Sequence, residues 1–218
     1  MTLFINLCDN ALQYFPNFKL KYKNNSLLIK ILSIFMFFNK DFLTNTATSI
    51  GNTTYFPNEN WVKNKPVTAS IIILHELTHM HDSKKYSKLL FAVSYLFPLI
   101  LFPFLALLFL ISWKVAIPAL LVCALPIPAY FRMIFERRAY MASLYAMKLF
   151  NDKFHYNINL DEQKDFFIKQ FTGPQYYFMW PFPSIHNIFD VAVADIKAGK
   201  KPYQDDVFNM IDDLIAKS

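Results

Sequence analysis

Hydrophobic residues recur at helical spacing near both ends of the chain. The segments Leu3–Tyr14 and Ser26–Phe38 have the pattern of amphipathic or half-buried helices, and the basic, turn-rich stretch Pro16–Asn25 separates them. Towards the C-terminus, Asn187–Ala198 and Gln204–Lys217 repeat the pattern on either side of a Gly-Lys-Lys-Pro turn. Both end regions therefore predict helices, and the two N-terminal ones either pack on the core or lie on the membrane surface.

Between Thr44 and Phe56 the pattern becomes that of short strands. β-Branched residues lie on both sides of a Gly-Asn pair at 51–52, and Pro57 ends the second run. A Gly-Asn pair between two such runs predicts a β-hairpin. The hairpin either offers an edge on which an extended peptide pairs or only covers the core.

Two uncharged, strongly apolar segments occupy the middle of the chain. Leu89–Trp113 has 25 residues and Val115–Phe131 has 17. As helices they would extend about 38 Å and about 26 Å, so the first is long enough to cross a bilayer and the second is near the lower limit. They predict a transmembrane helical hairpin. Prolines in both segments predict kinks and leave a re-entrant second segment as an alternative.

The composition agrees with a membrane protein that has parts outside the bilayer. The chain is 55% hydrophobic and 18% aromatic, with a formal net charge of +6. Because the basic residues collect beside the apolar segments, we expect a lipid bilayer as partner and no nucleic acid. Cys8 and Cys123 are far apart and imply neither a disulfide framework nor a Cys-type zinc site. The N-terminus lacks the pattern of a cleaved signal peptide.

An H-E-x-x-H motif occupies positions 75–79, just ahead of the first apolar segment. A proline and an apolar run before it predict a helix that continues to about Lys85. Positions i and i+4 share one helix face, so His75 and His79 are predicted to bind one Zn²⁺. Glu76 is predicted to take the proton from a water that the ion activates.

Basic residues flank the apolar region on both sides and are almost absent within it. They are Lys84, Lys85 and Lys88 before it, Arg132, Arg137 and Arg138 after it, and Lys114 inside it. By the positive-inside rule this pattern predicts an integral membrane protein, of bacterial inner-membrane type, with the zinc site facing the cytoplasm.

The third ligand is predicted on the helix that follows the second apolar segment. Glu136 is the first acidic residue there, and a membrane hairpin would return it beside the two histidines. A catalytic zinc typically has three protein ligands and one open position, and two His with one Glu is an established set. Ala139 and Ser143 share the face of Glu136, and their small size allows close approach to the motif helix.

On these residues the chain resembles the gluzincin metallopeptidases, in which H-E-x-x-H is followed by E-x-x-A-D on a second helix. It looks like the minimal gluzincins and the membrane group of CAAX prenyl proteases and bacterial heat-shock proteases. The resemblance covers Thr46–Ser143 and implies a zincin-like fold, zinc and peptide hydrolysis. The residues that match are His75, Glu76, His79, Glu136 and Ala139.

One position departs from that family pattern. Tyr140 stands where the family has an Asp that orients a ligand histidine, and loss of such a partner typically weakens metal binding or activity. Asp82 is the predicted substitute, because it lies three residues after His79 on the same helix. Tyr140 alternatively donates to substrate or to Glu136.

Other histidines and tyrosines are weaker candidates. His186, with Tyr176 and Tyr177, lies in an aromatic C-terminal region and is a candidate oxyanion or substrate contact, although packing is the simpler role. His81 lies two residues after His79 and is expected to point away from the ligand face.

The predicted organisation is mainly α-helical and has five parts. These are an N-terminal helical region (1–43), the β-hairpin with the motif helix (44–88), the transmembrane hairpin (89–131), the third-ligand helix (132–158) and a C-terminal helical region (159–218).

The sequence predicts a membrane-embedded zinc metalloendopeptidase acting on a peptide or a membrane-associated protein. The main alternative is a non-catalytic membrane protein that binds zinc and acts through partners, and the departure at Tyr140 is its best support. A lysis-type hairpin protein with an accidental motif is a third possibility, but it leaves Glu136 unexplained.

Overall fold

Helices make up most of the structure, and a small sheet lies in its N-terminal third. The computed structural model describes residues 1–35, 41–97, 99–101, 104–105, 107–124, 129–174 and 179–218. The α-helices run over Thr2–Ala11, Leu27–Phe35, Glu59–Asn64, Pro66–Lys85, Lys88–Leu96, Trp113–Ala124, Tyr130–Phe154, Leu160–Thr172, Ser184–Lys197 and Asp206–Ala216. Turns of 3₁₀ helix occupy Lys23–Asn25, Leu99–Leu101 and Leu107–Leu110.

The sheet has three strands, β1 (Lys19–Tyr22), β2 (Thr48–Ile50) and β3 (Thr53–Phe56), in the order β1-β3-β2. β2 and β3 form the predicted antiparallel hairpin, and Gly51 turns between them with a φ of 60°, a conformation that glycine adopts without strain. β1 pairs with β3 in parallel. β1 was not predicted, because four residues within a turn-rich stretch are too short for their alternation to be recognised.

The centre of the fold is a pair of packed helices. The motif helix, Pro66–Lys85, contacts the ligand helix, Tyr130–Phe154, along most of its buried length. Small residues of the ligand helix, Ala139 and Ala142, are fully buried and allow the two backbones to approach. Arg138 joins this pair to the C-terminal region, because its guanidinium ion-pairs with Asp82 and with Asp205.

The prediction of a transmembrane helical hairpin over residues 89–131 is wrong. In the described part of the chain, no helix is both long enough and apolar enough to cross a membrane. The apolar region is divided into shorter elements, which include the helices Lys88–Leu96 of 9 residues and Trp113–Ala124 of 12 residues. These rise about 14 Å and about 18 Å, against a hydrocarbon core of about 30 Å. For the same reason, the prediction of an integral membrane protein with a site facing the cytoplasm is wrong.

The side chain of Lys23 is fully buried. Its ammonium group donates to the carbonyl oxygen of Phe42 at 2.5 Å and to Thr46 Oγ1 at 3.2 Å, and lies 4.0 Å from the centre of the Phe42 ring. Burial lowers the pKa of Lys23 from 10.5 to about 7, although the nearby charge of Glu76 opposes the shift. The folded state therefore favours the neutral amine.

The burial of Lys23 makes stability depend on pH. Between pH 7 and 10.5 the unfolded chain binds more protons than the folded one, so the free energy of unfolding rises with pH in that window. Relative to Lys23→Met, the wild type is expected to gain about 2 kcal/mol between pH 6.5 and 9, measured by urea unfolding. Lys21→Met, at an exposed position of the neighbouring strand β1, is the control and should leave the pH dependence unchanged. If the free energy of unfolding changes with pH equally in the wild type and in Lys23→Met, the lowered pKa of Lys23 is contradicted.

Candidate metal centre

Two histidines and one carboxylate converge between the motif helix and the ligand helix. His75 Nε2 and His79 Nε2 are 3.2 Å apart. Glu136 places Oε2 3.5 Å from His75 Nε2 and Oε1 3.6 Å from His79 Nε2. Glu136 is 1% exposed and each histidine 9%. The three predicted ligands thus form one buried cluster, which could hold a metal ion.

The spacing of these donor atoms suits a tetrahedral ion. Ligand atoms at about 2.0–2.1 Å from a tetrahedral zinc lie about 3.3 Å from one another, and the three separations here are 3.2, 3.5 and 3.6 Å. Glu136 Oε2 is buried and has no hydrogen-bond partner among the described residues. An oxygen of this kind is available to a cation. The residues present therefore fit a His₂Glu metal site.

Ser143 lies against the Nδ1 side of the His75 ring. The Ser143 hydroxyl donates to the carbonyl oxygen of Ala139 at 3.0 Å and lies 3.3 Å from His75 Nδ1. Because the hydroxyl proton is already used, Ser143 must accept from Nδ1, so we assign the proton of neutral His75 to Nδ1. The lone pair of Nε2 then points at the cluster. A hydroxyl thus takes the orienting role that often belongs to a carboxylate.

Removing this hydroxyl is expected to weaken metal binding. Ser143→Ala should lower zinc affinity about 10–100-fold, the usual cost of losing a partner of a ligand histidine, as measured by competition with a chromogenic chelator. Ser70→Ala is a matched control, because Ser70 is also buried and donates to a carbonyl one turn earlier, that of Pro66. If Ser143→Ala and Ser70→Ala bind zinc with equal affinity, Ser143 does not orient His75.

Charges within the cluster keep Glu136 ionised. Burial raises the pKa of Glu136, but the nearby imidazoles of His79 and His75 outweigh it and hold that pKa well below its usual range. Burial lowers the pKa of His79, but the carboxylates of Glu136, Glu76 and Asp82 outweigh it and raise that pKa. Glu136 is therefore held in the ionised form, which is the form of a carboxylate that binds a cation.

Glu76, the predicted general base, is buried beside the cluster. It is 8% exposed, and it lies near enough to His79 for its charge to act on the pKa of that imidazole. It is not one of the three grouped donors. This placement leaves its carboxylate for proton transfer.

Asp82 does not take the role predicted from the family pattern. Its carboxylate pairs with Arg138, and His79 Nδ1 has no hydrogen-bond partner among the residues that the structure describes. Asp82 instead links the motif helix to the ligand helix.

Tyr140 packs against a ligand histidine. Its ring meets the ring of His75 edge-on, with centroids 4.7 Å apart, and its other neighbours include Phe167 and Phe171 at 4.5 Å and 5.6 Å. Where the family pattern has a carboxylate, this chain therefore has an aromatic wall that restricts the His75 ring.

Tyr95 reaches the cluster from the helix Lys88–Leu96 and was missed by the sequence analysis. Its hydroxyl donates to Glu136 Oε1, and its ring lies 5.8 Å from that of His79. Arg132 Nε donates to the backbone carbonyl of Tyr95 at 3.0 Å, which fixes the helix over the site. A tyrosine within an uncharged run was the available signal, but that run was interpreted as a membrane span.

The remaining candidates lie elsewhere. His186 is exposed on the helix Ser184–Lys197 and does not belong to the cluster. Tyr176 and Tyr177 fall outside the described residues. His81 Nδ1 lies 3.8 Å from Asp82 Oδ1 and also stays outside the cluster, in agreement with the helical geometry.

Comparison with known proteins adds no relative. No protein-family model, curated protein or solved structure matches the chain. The functional assignment therefore depends on the cluster itself.

Proposed function

We propose that this protein is a zinc-dependent metallopeptidase that hydrolyses peptide bonds. The observation that carries the proposal is the convergence of His75, His79 and Glu136 at separations suited to a tetrahedral ion. Two His with one Glu is a ligand set of catalytic zinc, in which the fourth position stays open for water or substrate. The H-E-x-x-H spacing supplies Glu76 next to this set.

His75, His79 and Glu136 would hold the ion. Zinc bound there supplies a Lewis acid, which lowers the pKa of water and polarises a carbonyl group. Glu76 accepts a proton from the attacking water as the water oxygen bonds to the peptide carbonyl carbon. It then delivers that proton to the amine nitrogen as the C–N bond breaks.

The surroundings favour this chemistry by excluding water and fixing the ligands. Aromatic rings of Phe91 and Tyr95 lie within 6.1 Å of the His79 ring, and Tyr140 covers His75. Low exposure strengthens the interaction of the ligands with a cation, because the effective dielectric constant is lower there than in water. Ser143 and Tyr95 hold a histidine and the carboxylate in place.

A peptide is the proposed substrate. β2 is an edge strand of the sheet and contacts the motif helix, so an extended backbone added to β2 would lie near that helix. Main-chain pairing at a sheet edge binds peptides with little dependence on side chains.

Metal removal tests the proposal. The purified full-length chain is incubated with an unstructured peptide library, with and without 1,10-phenanthroline, and fragments are identified by mass spectrometry. We expect cleavage that the chelator abolishes and that one equivalent of zinc restores. Cleavage insensitive to the chelator would contradict a metallopeptidase. Zinc-replete protein that leaves the library intact would favour the alternative, a non-catalytic zinc-binding protein, for which the aromatic Tyr140 in place of a carboxylate is the supporting observation.

A further inference from the structure

Exposed apolar side chains are concentrated in the part of the chain that connects the motif helix to the ligand helix. They lie on the helices Lys88–Leu96 and Trp113–Ala124 and at the turn Leu107–Leu110, and we refer to them as the apolar surface. Leu110 and Ile111 are 84% and 80% exposed, and the surface also includes Leu89, Phe104, Trp113 and Leu121. The helix Lys88–Leu96 has no buried residue at all. Large apolar patches of this kind mark interaction sites.

The charges at this surface have a single sign. From Lys84 to Phe135 the chain contains no Asp or Glu. Lys84, Lys85 and Lys88, ahead of the apolar residues, and Lys114, among them, are all exposed. Each lysine near an anionic bilayer contributes attraction to the headgroups.

We propose that this apolar surface docks on the surface of a lipid bilayer that contains anionic phospholipids. The short helices would lie in the interface, with their apolar side chains among the acyl chains and these lysines at the phosphates. Trp113 and Tyr86 are exposed, and such side chains suit the boundary between the acyl chains and the headgroups. A second copy of the chain is a poorer occupant, because it would bring two sets of lysines together.

The docked helix would also be the one that touches the metal centre. Leu89, Val93 and Leu96 face outwards, whereas Phe91 and Tyr95 lie on the side of His79 and Glu136. Docking would therefore place the metal centre close to the bilayer surface. The proposed docking does not depend on the proposed peptidase activity.

Vesicle flotation tests the docking. The purified full-length chain is mixed with vesicles of phosphatidylcholine alone, or with 30 mol% phosphatidylglycerol, at about 0.1 M salt, where the Debye length is about 10 Å. We expect flotation with the anionic vesicles, and at least tenfold weaker partitioning for the double variant L110E/I111E. Lys114→Glu should lower partitioning about fivefold or more on anionic vesicles only. Val191→Glu is the matched control, since Val191 is 64% exposed on a different helix, and it should bind like the wild type.

Three outcomes would overturn the docking proposal. One is unchanged flotation of L110E/I111E, and another is equal binding to vesicles with and without anionic lipid. The third is a dimer in sedimentation equilibrium that L110E/I111E disrupts, without vesicle binding by the wild type. Zinc content is measured in every variant, so that damage to the metal centre is distinguished from loss of docking.

Discussion

Replacing Glu76 with glutamine is expected to lower peptide hydrolysis by about 10²–10⁴-fold, the usual contribution of a positioned general acid or base. Glutamine keeps the shape of the side chain but cannot accept the proton of the attacking water. Because Glu76 is not one of the three grouped donors, bound zinc should stay near one equivalent. The measurements are initial cleavage rates and metal content by inductively coupled plasma mass spectrometry.

The control for this variant is Glu59→Gln. Glu59 lies on the helix Glu59–Asn64 and forms an exposed ion pair with Lys63, so its replacement removes one carboxylate without touching the cluster. Hydrolysis by Glu76→Gln at the wild-type rate would exclude Glu76 as the base. Loss of zinc together with activity would show that Glu76 holds the site together instead of moving a proton.

Replacing His79 with alanine is expected to remove both zinc and activity. Loss of a residue that hydrogen-bonds to a ligand histidine already lowers metal affinity about 10–100-fold. Loss of a direct ligand should therefore lower it more than about 100-fold. The change also leaves the carboxylate of Glu136 with one imidazole fewer. Equilibrium dialysis against buffered zinc measures the affinity, and far-ultraviolet circular dichroism reports whether the helices remain.

His81→Ala provides the comparison for this variant. His81 lies on the same helix two residues later, outside the cluster. The His81→Ala variant should therefore bind zinc with wild-type affinity. If both histidine variants lose zinc equally, the ion is not held at the face formed by His75 and His79.

The pairing of the two histidines was predictable because the motif that contains them is local. The four-residue spacing of His75 and His79 fixes their relation once the segment is helical, and an apolar run ahead of the motif made the helix recognisable. Glu136 was found by chemistry, as the first acidic residue after the apolar region. The hairpin at β2 and β3 was found because a Gly-Asn pair marks the turn.

Contacts made across the fold were harder to predict. Ser143 shares a helix face with Glu136, but only the packing of two helices shows that its hydroxyl meets His75. Tyr95 meets Glu136 from 41 positions away, and no periodic pattern predicts that contact. β1 pairs in parallel with a strand more than 30 residues later, a pairing that depends on the whole chain.

The prediction for the apolar region was wrong because its prolines were expected to kink membrane-spanning helices and not to end them. Residues 89–113 are uncharged, yet the helix Lys88–Leu96 ends just before Pro98, and Phe97 is extended with φ −69° and ψ 135°. A residue that precedes proline disfavours helical geometry. The apolar composition therefore identified a strongly apolar part of the chain, but it did not determine the length of the helices in that part.

Anomalous scattering at the zinc absorption edge tests the metal centre most directly. Crystals of the zinc-replete protein should show one peak between the two central helices, about 2.0–2.2 Å from His75 Nε2, from His79 Nε2 and from a carboxylate oxygen of Glu136. A peak held by other residues, or no peak at this cluster in zinc-replete crystals, would contradict the account.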